Sequence, residues 1–324
     1  MKMNEIVVIV EHDGKTVKQT SYETISFALE FAKNADQIAV LVPGAEISSI
    51  AKEVAKRTKL KVIGIESPYV KFYNAQAYIS LFKKYFENDK PKFIFIPHTP
   101  TGWDYAPQLA LSLNASYTPA VISFKFDGKA IFTRQVLNGK LLADFALRPD
   151  KSSVITVMPG AIKNVFTSPR NGEEKEIRIT KIELAATTTK TVGYVEIEGT
   201  SEELTKADII IAIGRGIGSP DNIPKVKKLV SLIPHTAIAS SRPLCDMGWM
   251  PIETQVGMTG KTVAPKVYIA LGISGAIQHT MGMQNSETII VVNTDKNTLF
   301  FKKAHYCVIA DINEFVSAMI EKLK

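Results

Sequence analysis

Residues 267–279 read VYIALGISGAIQH, and this stretch decides the fold of the C-terminal half of the chain. Its first five residues are apolar, which is typical of a buried strand. Gly272 ends that strand, and Ser274-Gly275 then predicts the start of a helix. The first backbone N–H groups of a helix have no partner within it, so they favour an anion at this point. A strand, a glycine turn and a helix in succession indicate an α/β unit.

The same alternation extends to both sides of this stretch. In the second half, strands are predicted at 209–213, 236–239, 267–271, 288–292 and 307–309, and helices at 224–231, from 274, and at 313–322. In the first half, strands are predicted at 5–10, 38–42, 61–65 and 93–97, and helices at 22–34, 47–58, 75–87 and 105–113. Short apolar strands between amphipathic helices indicate parallel sheets that are covered on both faces.

The pattern changes to consecutive strands between residues 120 and 162, where Asp127-Gly128 and Asn138-Gly139 predict hairpin turns. The polar stretch 164–191 is interpreted as a sheet edge that leads into a linker. We therefore predict an α/β protein of two domains, each built on a mainly parallel sheet flanked by helices. Residues 1–191 form the first domain, and residues 192–324 form a Rossmann-like domain that binds a cofactor.

Composition narrows the class of protein. The 324 residues are 45% hydrophobic and 22% charged, which suits two domains that each bury a core. The sequence has no apolar run long enough to insert into a membrane, and its first residues lack the features of a signal peptide, so a cytoplasmic location is expected. The net charge is +7, but the basic residues are scattered and do not alternate with aromatics. This pattern favours solvated helix faces, or steering of acidic partners, over nucleic-acid binding.

The reactive side chains predict no catalytic or metal site. The two cysteines, Cys245 and Cys307, are far apart and form no CxxC pair, so both are expected to be small buried hydrophobes. The sequence also lacks the motifs of zinc hydrolases, serine hydrolases and P-loop proteins.

Three segments of the second half follow predicted strands, where open α/β sheets bind ligands. The first is IGRGIG at 213–218, whose glycines suit either a close approach to phosphate or a tight turn. The second combines SSRP at 240–243 with QVGMTGK at 255–261; its Arg242 suits a diphosphate or an electron-rich ring, or a surface salt bridge. The third is 272–279, which ends in an amide and an imidazole side chain.

The run GISGAIQH, with VAPKVYIAL before it and IVVNTD at 290–295 after it, resembles the signature of electron-transfer flavoprotein alpha subunits. Ser241-Arg242, the QVGxTGK pattern and Ala310-Asp311 are similar to the same family. In the first half, TGWDYAP at 101–107 resembles a helix start of that family. The resemblance covers essentially the whole chain and is most specific over 207–311.

This resemblance implies an electron carrier rather than an enzyme, with FAD in the C-terminal domain and an N-terminal domain that docks on a beta subunit. It implies flavoprotein dehydrogenases of the acyl-CoA type as donors, and a quinone oxidoreductase or another protein as acceptor. Two alternatives stay open. One is an NAD(H)-linked dehydrogenase or an electron-bifurcating complex, and the other is an adenine-nucleotide-binding module without redox chemistry.

The resemblance also implies roles for individual residues. Arg242 would lie near the isoalloxazine ring, Thr259 would donate its hydroxyl towards flavin N5, and His279 would face the O2/N1 edge. Ser274-Gly275 would meet the pyrophosphate, and Gln278 would touch the ribityl or pyrophosphate region.

Asn293 and Asp311 would hold the phosphate and adenosine end, helped by Gly214 and Gly216. Met258 stands where the family usually has glutamine, so a flexible thioether replaces a polar contact to the ring. The full set of predicted FAD-binding residues is Gly214, Arg215, Gly216, Ser241, Arg242, Gln255, Val256, Gly257, Met258, Thr259, Gly272, Ile273, Ser274, Gly275, Ala276, Gln278, His279, Asn293, Thr294, Asp295, Asp311 and Ile312.

Overall fold

The structure, a computed structural model, describes residues 5–32, 34–137, 141–162, 170–173, 175–194, 204 and 207–323. The chain divides into two compact units, Met1–Val195 and Glu196–Lys324. The predicted boundary between residues 191 and 192 lies close to this division. Each unit has a parallel-dominated sheet flanked by helices, so the predicted α/β fold class is confirmed. None of the helices in these ranges is long and apolar enough to cross a membrane.

The N-terminal unit is built on one sheet. Its described strands are β1 (Ile6–Ile9), β2 (Ile38–Gly44), β3 (Lys61–Glu66), β4 (Phe93–Pro97), β5 (Ser116–Asp127), β6 (Lys129–Val136), β7 (Leu141–Ala146), β8 (Ser153–Val157) and β9 (Ile177–Lys181). They lie in the order β7-β6-β5-β8-β4-β1-β2-β3-β9, and only the β5–β6 and β6–β7 pairs are antiparallel. Its described helices are α1 (Gln19–Phe31), α2 (Ser48–Thr58), α3 (Ala75–Tyr85) and α4 (Pro100–Ser112).

Both faces of the central strands β1, β2, β4 and β8 are buried, as the continuous apolar strands predict, whereas β7 at the edge is largely exposed. Side chains alternate along β1, so Ile6 and Val8 pack into the core formed with α1 and α2. Val7 and Ile9 point to the other face and pack into the core formed with α3 and α4.

Two helices of this unit begin earlier than predicted. The helix expected at 105–113 begins at Pro100, because the Thr99 hydroxyl accepts a hydrogen bond from the Gly102 N–H (3.1 Å) and caps the first turn. The helix expected at 22–34 spans Gln19–Phe31 instead. It stops before Asn34, whose side chain caps the short turn that follows.

The sequence predicts that strand β2 stops before Pro43-Gly44. In the structure the strand runs through both residues. The Pro43 carbonyl points towards the β1 side, where it accepts from His12 Nε2 (2.7 Å). Since β1 pairs with β2 only as far as Leu41, the missing N–H of Pro43 removes no ladder bond.

The consecutive strands predicted between residues 120 and 162 are present as β5 to β8. The Asp127-Gly128 turn joins antiparallel β5 and β6, whereas the predicted turn at Asn138-Gly139 lies outside the described residues. The polar stretch 164–191 contributes β9, the outer strand beside β3.

The C-terminal unit has a smaller, fully parallel sheet. Its described strands are β10 (Ile209–Ile213), β11 (Thr236–Ser240), β12 (Val267–Leu271), β13 (Thr288–Asn293) and β14 (Tyr306–Ile309). Its described helices are α5 (Ile223–Ser231), α6 (Arg242–Asp246), α7 (Ile277–Thr280) and α8 (Ile312–Lys322). The strand order is β11-β10-β12-β13-β14, so the chain moves outwards in one direction after β10 and in the other after β12. This reversal creates a crevice between the carboxyl ends of β10 and β12.

The two cysteines differ from expectation. Cys245 is half-buried, and the expectation that Cys307 is buried is wrong, because it is exposed. Cys307 lies on β14, an edge strand, where Tyr306 and Ile309 are exposed as well.

Candidate functional site

A cavity of about 580 Å³ lies at the carboxyl ends of the strands of the C-terminal unit. Ligand sites typically measure roughly 300–1,000 Å³. The cavity is lined by the segments that follow β10, β11, β12 and β13, which places it at the reversal of the strand order. Its lining residues are Arg215, Gly216, Ser241, Arg242, Pro243, Gln255, Val256, Gly257, Met258, Thr259, Gly272, Ile273, Ser274, Ala276, Gln278, His279, Asn293, Asp295 and Thr298.

The cavity brings together most of the residues predicted to bind the cofactor. Among the residues described for this unit, the predicted ones that do not line it are Gly214, Gly275, Thr294, Asp311 and Ile312. Sequence reasoning missed Pro243 and Thr298. Pro243 follows a predicted residue directly, but nothing in the sequence around Thr298 signals its place in the wall.

Three glycines of the site pack against each other. The Gly214 N–H donates to the Leu271 carbonyl (2.9 Å), and the Gly216 N–H donates to the Gly272 carbonyl (3.1 Å). Gly272 has φ +63°, and a Cβ there would lie 2.7 Å from the Gly216 Cα. The segment forms a tight 3-10 turn at Arg215–Ile217, which is one of the two roles that the sequence leaves open, and its glycines also allow the two loops to pack closely.

The segment after β12 does not begin a helix at Ser274, so that prediction is wrong. Gly275 has φ +76°, and α7 spans only Ile277–Thr280. A Cβ at Gly275 would lie 2.4 Å from the Phe300 backbone nitrogen, so this position requires glycine for packing.

Side chains at the end of β13 and in the segment that follows it hold residues 273–276 in their non-helical shape. The Asn293 amide donates to the carbonyl of Ile273 (3.2 Å), and the Thr298 hydroxyl donates to the carbonyl of Ser274 (3.1 Å). These carbonyls therefore do not accept the N–H groups that a helix starting at Ser274 would offer them. The Asn293 side-chain oxygen also accepts from the Asp295 N–H (3.0 Å), so its amide holds the loop while the residue lines the cavity.

The 255–261 segment forms a second wall. The buried Gln255 side chain, 4% exposed, donates from Nε2 to Thr259 Oγ1 (2.9 Å). Because the hydroxyl oxygen accepts there, its own hydrogen is free to point towards the cavity. The Met258 N–H donates to the Gln278 carbonyl (2.7 Å), while the Met258 side chain is 49% exposed and lines the cavity.

Arg242 begins α6 at the rim of the cavity. Its side chain is 64% exposed, and its Nε lies 3.4 Å from Asp246 Oδ2. The residue therefore lines the cavity and also takes part in a surface ion pair. Such exposed pairs contribute little to stability, so the guanidinium can turn to a ligand at small cost.

His279 and Tyr268 form a buried pair beside the cavity. The Tyr268 hydroxyl lies 2.9 Å from His279 Nε2, and His279 is 6% exposed. Burial lowers the pKa of His279 to about 4, opposed by the Val256 backbone, so the ring is neutral at pH 7. Burial raises the pKa of Tyr268 well above 10. The opposing effect on the pKa of His279 is a hydrogen bond with the Val256 backbone, while no described atom meets strict hydrogen-bond geometry at the buried His279 Nδ1.

Two predicted residues that do not line the cavity, Asp311 and Ile312, have structural contacts instead. Asp311 caps α8, where its Oδ1 accepts from the Asn313 N–H (2.7 Å). Ile312 is buried, and its Cδ1 lies 2.4 Å from the point where a Cβ of Gly272 would stand. Across the described residues, no group of three or more His, Cys, Asp and Glu side chains is placed to hold a metal ion.

Two family models match the chain. Residues 6–187 match the electron transfer flavoprotein domain, and residues 203–284 match the electron transfer flavoprotein FAD-binding domain. Among curated relatives, the electron transfer flavoprotein subunit alpha of Syntrophomonas wolfei is 32% identical over 98% of each chain. The protein of the same name from Bacillus subtilis is 30% identical over 99% of this chain and 97% of its own. The acryloyl-CoA reductase electron transfer subunit beta of Anaerotignum propionicum is 32% identical over 97% of this chain and 94% of its own.

Proposed function

The chain belongs to the alpha-subunit family of electron transfer flavoproteins, and from that premise we propose that it pairs with a beta subunit and carries electrons between other redox proteins. The C-terminal domain is an FAD-binding domain. The proposal includes a cytoplasmic location, and it excludes nucleic acid as a partner.

The observation that best supports the proposed site is the cavity at the strand reversal, with an unpartnered buried nitrogen in its wall. His279 Nδ1 lies in a residue that lines this cavity, and a buried polar atom without a partner is rare in a folded protein. Val256, Met258 and Ile273 offer apolar surface beside it. A flat ring with polar edges satisfies both kinds of surface.

The cavity offers hydrogen-bond donors as well as apolar side chains. We propose that the Thr259 hydroxyl, His279 Nδ1 and the Arg242 guanidinium orient the flavin ring, and that Ser274 and Gln278 hold the diphosphate region. Bound FAD supplies one- and two-electron redox chemistry, and the chain supplies binding, orientation and electrostatics. No residue needs to act as a nucleophile or general base for this role, so the proposal is a carrier rather than an enzyme.

Gly214, Gly275, Asp311 and Ile312 have a different place in the proposal. Each is engaged in packing or capping outside the lining, so we propose that they shape the loops around the cofactor without touching it. Thr294 is exposed next to the lining and is kept as a candidate contact.

The redox partners are proposed from the sequence resemblance. It implies donors that are flavoprotein dehydrogenases of the acyl-CoA type, and a quinone oxidoreductase or another protein as acceptor. The second candidate is the NAD(H)-linked complex that the sequence leaves open, and the relative named as an acryloyl-CoA reductase electron transfer subunit supports a place for the chain inside a reductase complex.

One experiment tests the first candidate against the second. The chain is expressed together with a beta subunit, the FAD content is measured by absorbance, and reduction is followed after adding NADH or an acyl-CoA dehydrogenase with its substrate. Reduction by the dehydrogenase but not by NADH supports the carrier. Reduction by NADH alone supports the complex, and a dimer that takes up no FAD contradicts both.

A further inference from the structure

The Tyr268–His279 pair determines which nitrogen of the imidazole carries hydrogen. Tyr268 is fully buried on β12, and the described part of the chain offers its hydroxyl one partner, His279 Nε2 at 2.9 Å. The Phe300 ring packs edge-on against the imidazole, with the centroids 6.0 Å apart. The ring is therefore held in place on one side by a hydrogen bond and on another by an aromatic side chain.

Two arrangements of hydrogen are possible for the neutral ring, and they differ in how many buried groups they leave unmatched. If Nε2 donated to the Tyr268 oxygen, the tyrosine hydrogen would meet no described acceptor, and Nδ1 would be an unmatched acceptor as well. If Tyr268 donates to Nε2, only the N–H at Nδ1 is left, and the Val256 backbone that interacts with the imidazole can accept from it. Buried polar groups without partners are unfavourable, so the second arrangement is favoured.

We propose that Tyr268 is a positioning residue: it donates its hydroxyl hydrogen to His279 Nε2 and thereby fixes Nδ1 as the nitrogen of this cavity-lining side chain that carries hydrogen. The lowered pKa of His279 agrees with a neutral ring. The inference rests on the proposed FAD site for its ligand, but the state of the imidazole is a property of the chain itself. A histidine nitrogen is commonly set in this way by the partner of the other nitrogen.

The test is the tautomer of His279 in the FAD-free protein, read from its imidazole nitrogens by ¹⁵N NMR and assigned by comparison with a His279→Gln variant. Hydrogen on Nδ1 is expected in the wild-type chain, and Tyr268→Phe is expected to lose that preference. Tyr306→Phe, which changes an exposed tyrosine of the same unit, is expected to keep it. Hydrogen on Nε2 in the wild type, or an unchanged pattern in Tyr268→Phe, overturns the proposal.

A second measurement tests the proposal even if Tyr268→Phe fails to fold. An asparagine amide at position 279 reaches the place of Nδ1, whereas a glutamine amide reaches that of Nε2. We therefore expect His279→Asn to retain FAD affinity within about threefold and His279→Gln to lose about tenfold, the scale of one hydrogen bond. The reverse order contradicts the inference. If the NMR result holds and wild-type protein binds no FAD, the positioning role stands and the proposed function fails.

Discussion

The two units differ in the residues that lie at the carboxyl edges of their parallel sheets. At the carboxyl edge of the N-terminal sheet, the buried Glu11 carboxylate accepts from the Thr99 hydroxyl and pairs with Lys18 at 3.2 Å. Nearby, His98 Nδ1 lies 2.8 Å from Thr156 Oγ1. These polar side chains satisfy one another. At the same edge of the C-terminal sheet, glycine loops pack tightly and leave donors around the cavity.

The difference shows that a parallel sheet does not by itself make a ligand site. Glutamate and histidine follow β1 and β4, whereas glycine follows β10 and β12. The larger side chains fill one crevice, and their absence leaves the other open. A cavity of about 380 Å³ in the N-terminal unit lies at the opposite end of its sheet, beside Glu5 and Lys92 where β1 and β4 begin.

Gly272→Ala is the substitution from which we expect the largest effect on this contrast between the two sheet edges. The new Cβ would stand 2.7 Å from the Gly216 Cα, at a residue with φ +63°. Strain and overpacking together predict a loss of about 2–5 kcal/mol in the C-terminal unit, with loss of FAD binding. Each unit holds one tryptophan, Trp103 or Trp249, so urea unfolding of a Trp103→Phe background reports on the C-terminal unit alone.

Gly218→Ala is the matched control for that change. Gly218 has φ +77°, but no described atom lies within 4 Å of its Cβ position. It should therefore lose only the backbone term of about 1–2 kcal/mol. Equal losses in the two variants would show that loop packing at Gly272 is unimportant.

Lowering the pH should reduce the free energy of unfolding of both units, and bound FAD should counteract this loss in the C-terminal unit only. Burial lowers the pKa of His98 and of His279 from 6.5 to about 4. A group whose folded pKa is depressed favours the folded state above pH 6.5, and that stability is lost as the pH falls towards 4. For the buried His279 the loss is at most about 3 kcal/mol.

Unfolding curves between pH 7 and pH 4, read from each tryptophan separately, check this expectation. FAD should raise the stability of the C-terminal unit and leave that of the N-terminal unit unchanged. Acid resistance of the C-terminal unit without FAD would contradict the neutral state of His279.

Glu11→Ala tests the polar contacts at the carboxyl edge of the N-terminal sheet. Removing the carboxylate takes away the acceptor of the Thr99 hydroxyl and the ion-pair partner of Lys18, which predicts a loss of about 1–2 kcal/mol in the N-terminal unit. FAD affinity, measured by fluorescence titration, should not change. Glu5→Ala, at an exposed ion pair with Lys92 (3.7 Å), is the control and should have little effect. An altered FAD affinity in Glu11→Ala would break the contrast between the two edges.

The smallest expected effect is electrostatic. Arg242→Ala removes a positive charge from the rim, and the midpoint potential of bound FAD should fall by up to about 60 mV, which corresponds to about 1.4 kcal/mol for one electron. The exposure of the side chain and its Asp246 partner limit the shift. Lys227→Ala, on the exposed face of α5, is the control in the same potentiometric titration. Equal potentials for wild type and Arg242→Ala would remove Arg242 from the ring environment.

Short apolar runs between turn residues were enough to predict much of the fold. The predicted bounds of β4, β10 and β12 match the structure, because each is a buried strand flanked by polar or glycine residues. The helix expected from Ser274 failed for a reason that local pattern does not carry. Asn293 and Thr298, about twenty residues further along the chain, take the carbonyls that a helix would use.

The site shows the same division between local and distant information. Residues in the segments that follow strands, such as Arg242 and Gln278, are found in the cavity wall as the pattern predicts. Gly214 and Gly272 are predicted ligand contacts; Gly272 lines the cavity and Gly214 does not, and at both positions the two loops approach too closely to leave room for a Cβ. The exposure of Cys307 depends on β14 being an edge strand, which the strand order decides and the sequence pattern does not.

That exposed thiol has a practical consequence for optical work. The Cys245 thiol is half-buried and lies 3.2 Å from the Ser240 hydroxyl, so a maleimide dye should attach first at Cys307. The wild-type chain thus carries its own labelling position on the outer strand of the FAD-binding unit. Because the flavin is itself coloured and fluorescent, energy transfer between dye and cofactor would follow loading of the domain in real time, without an engineered cysteine.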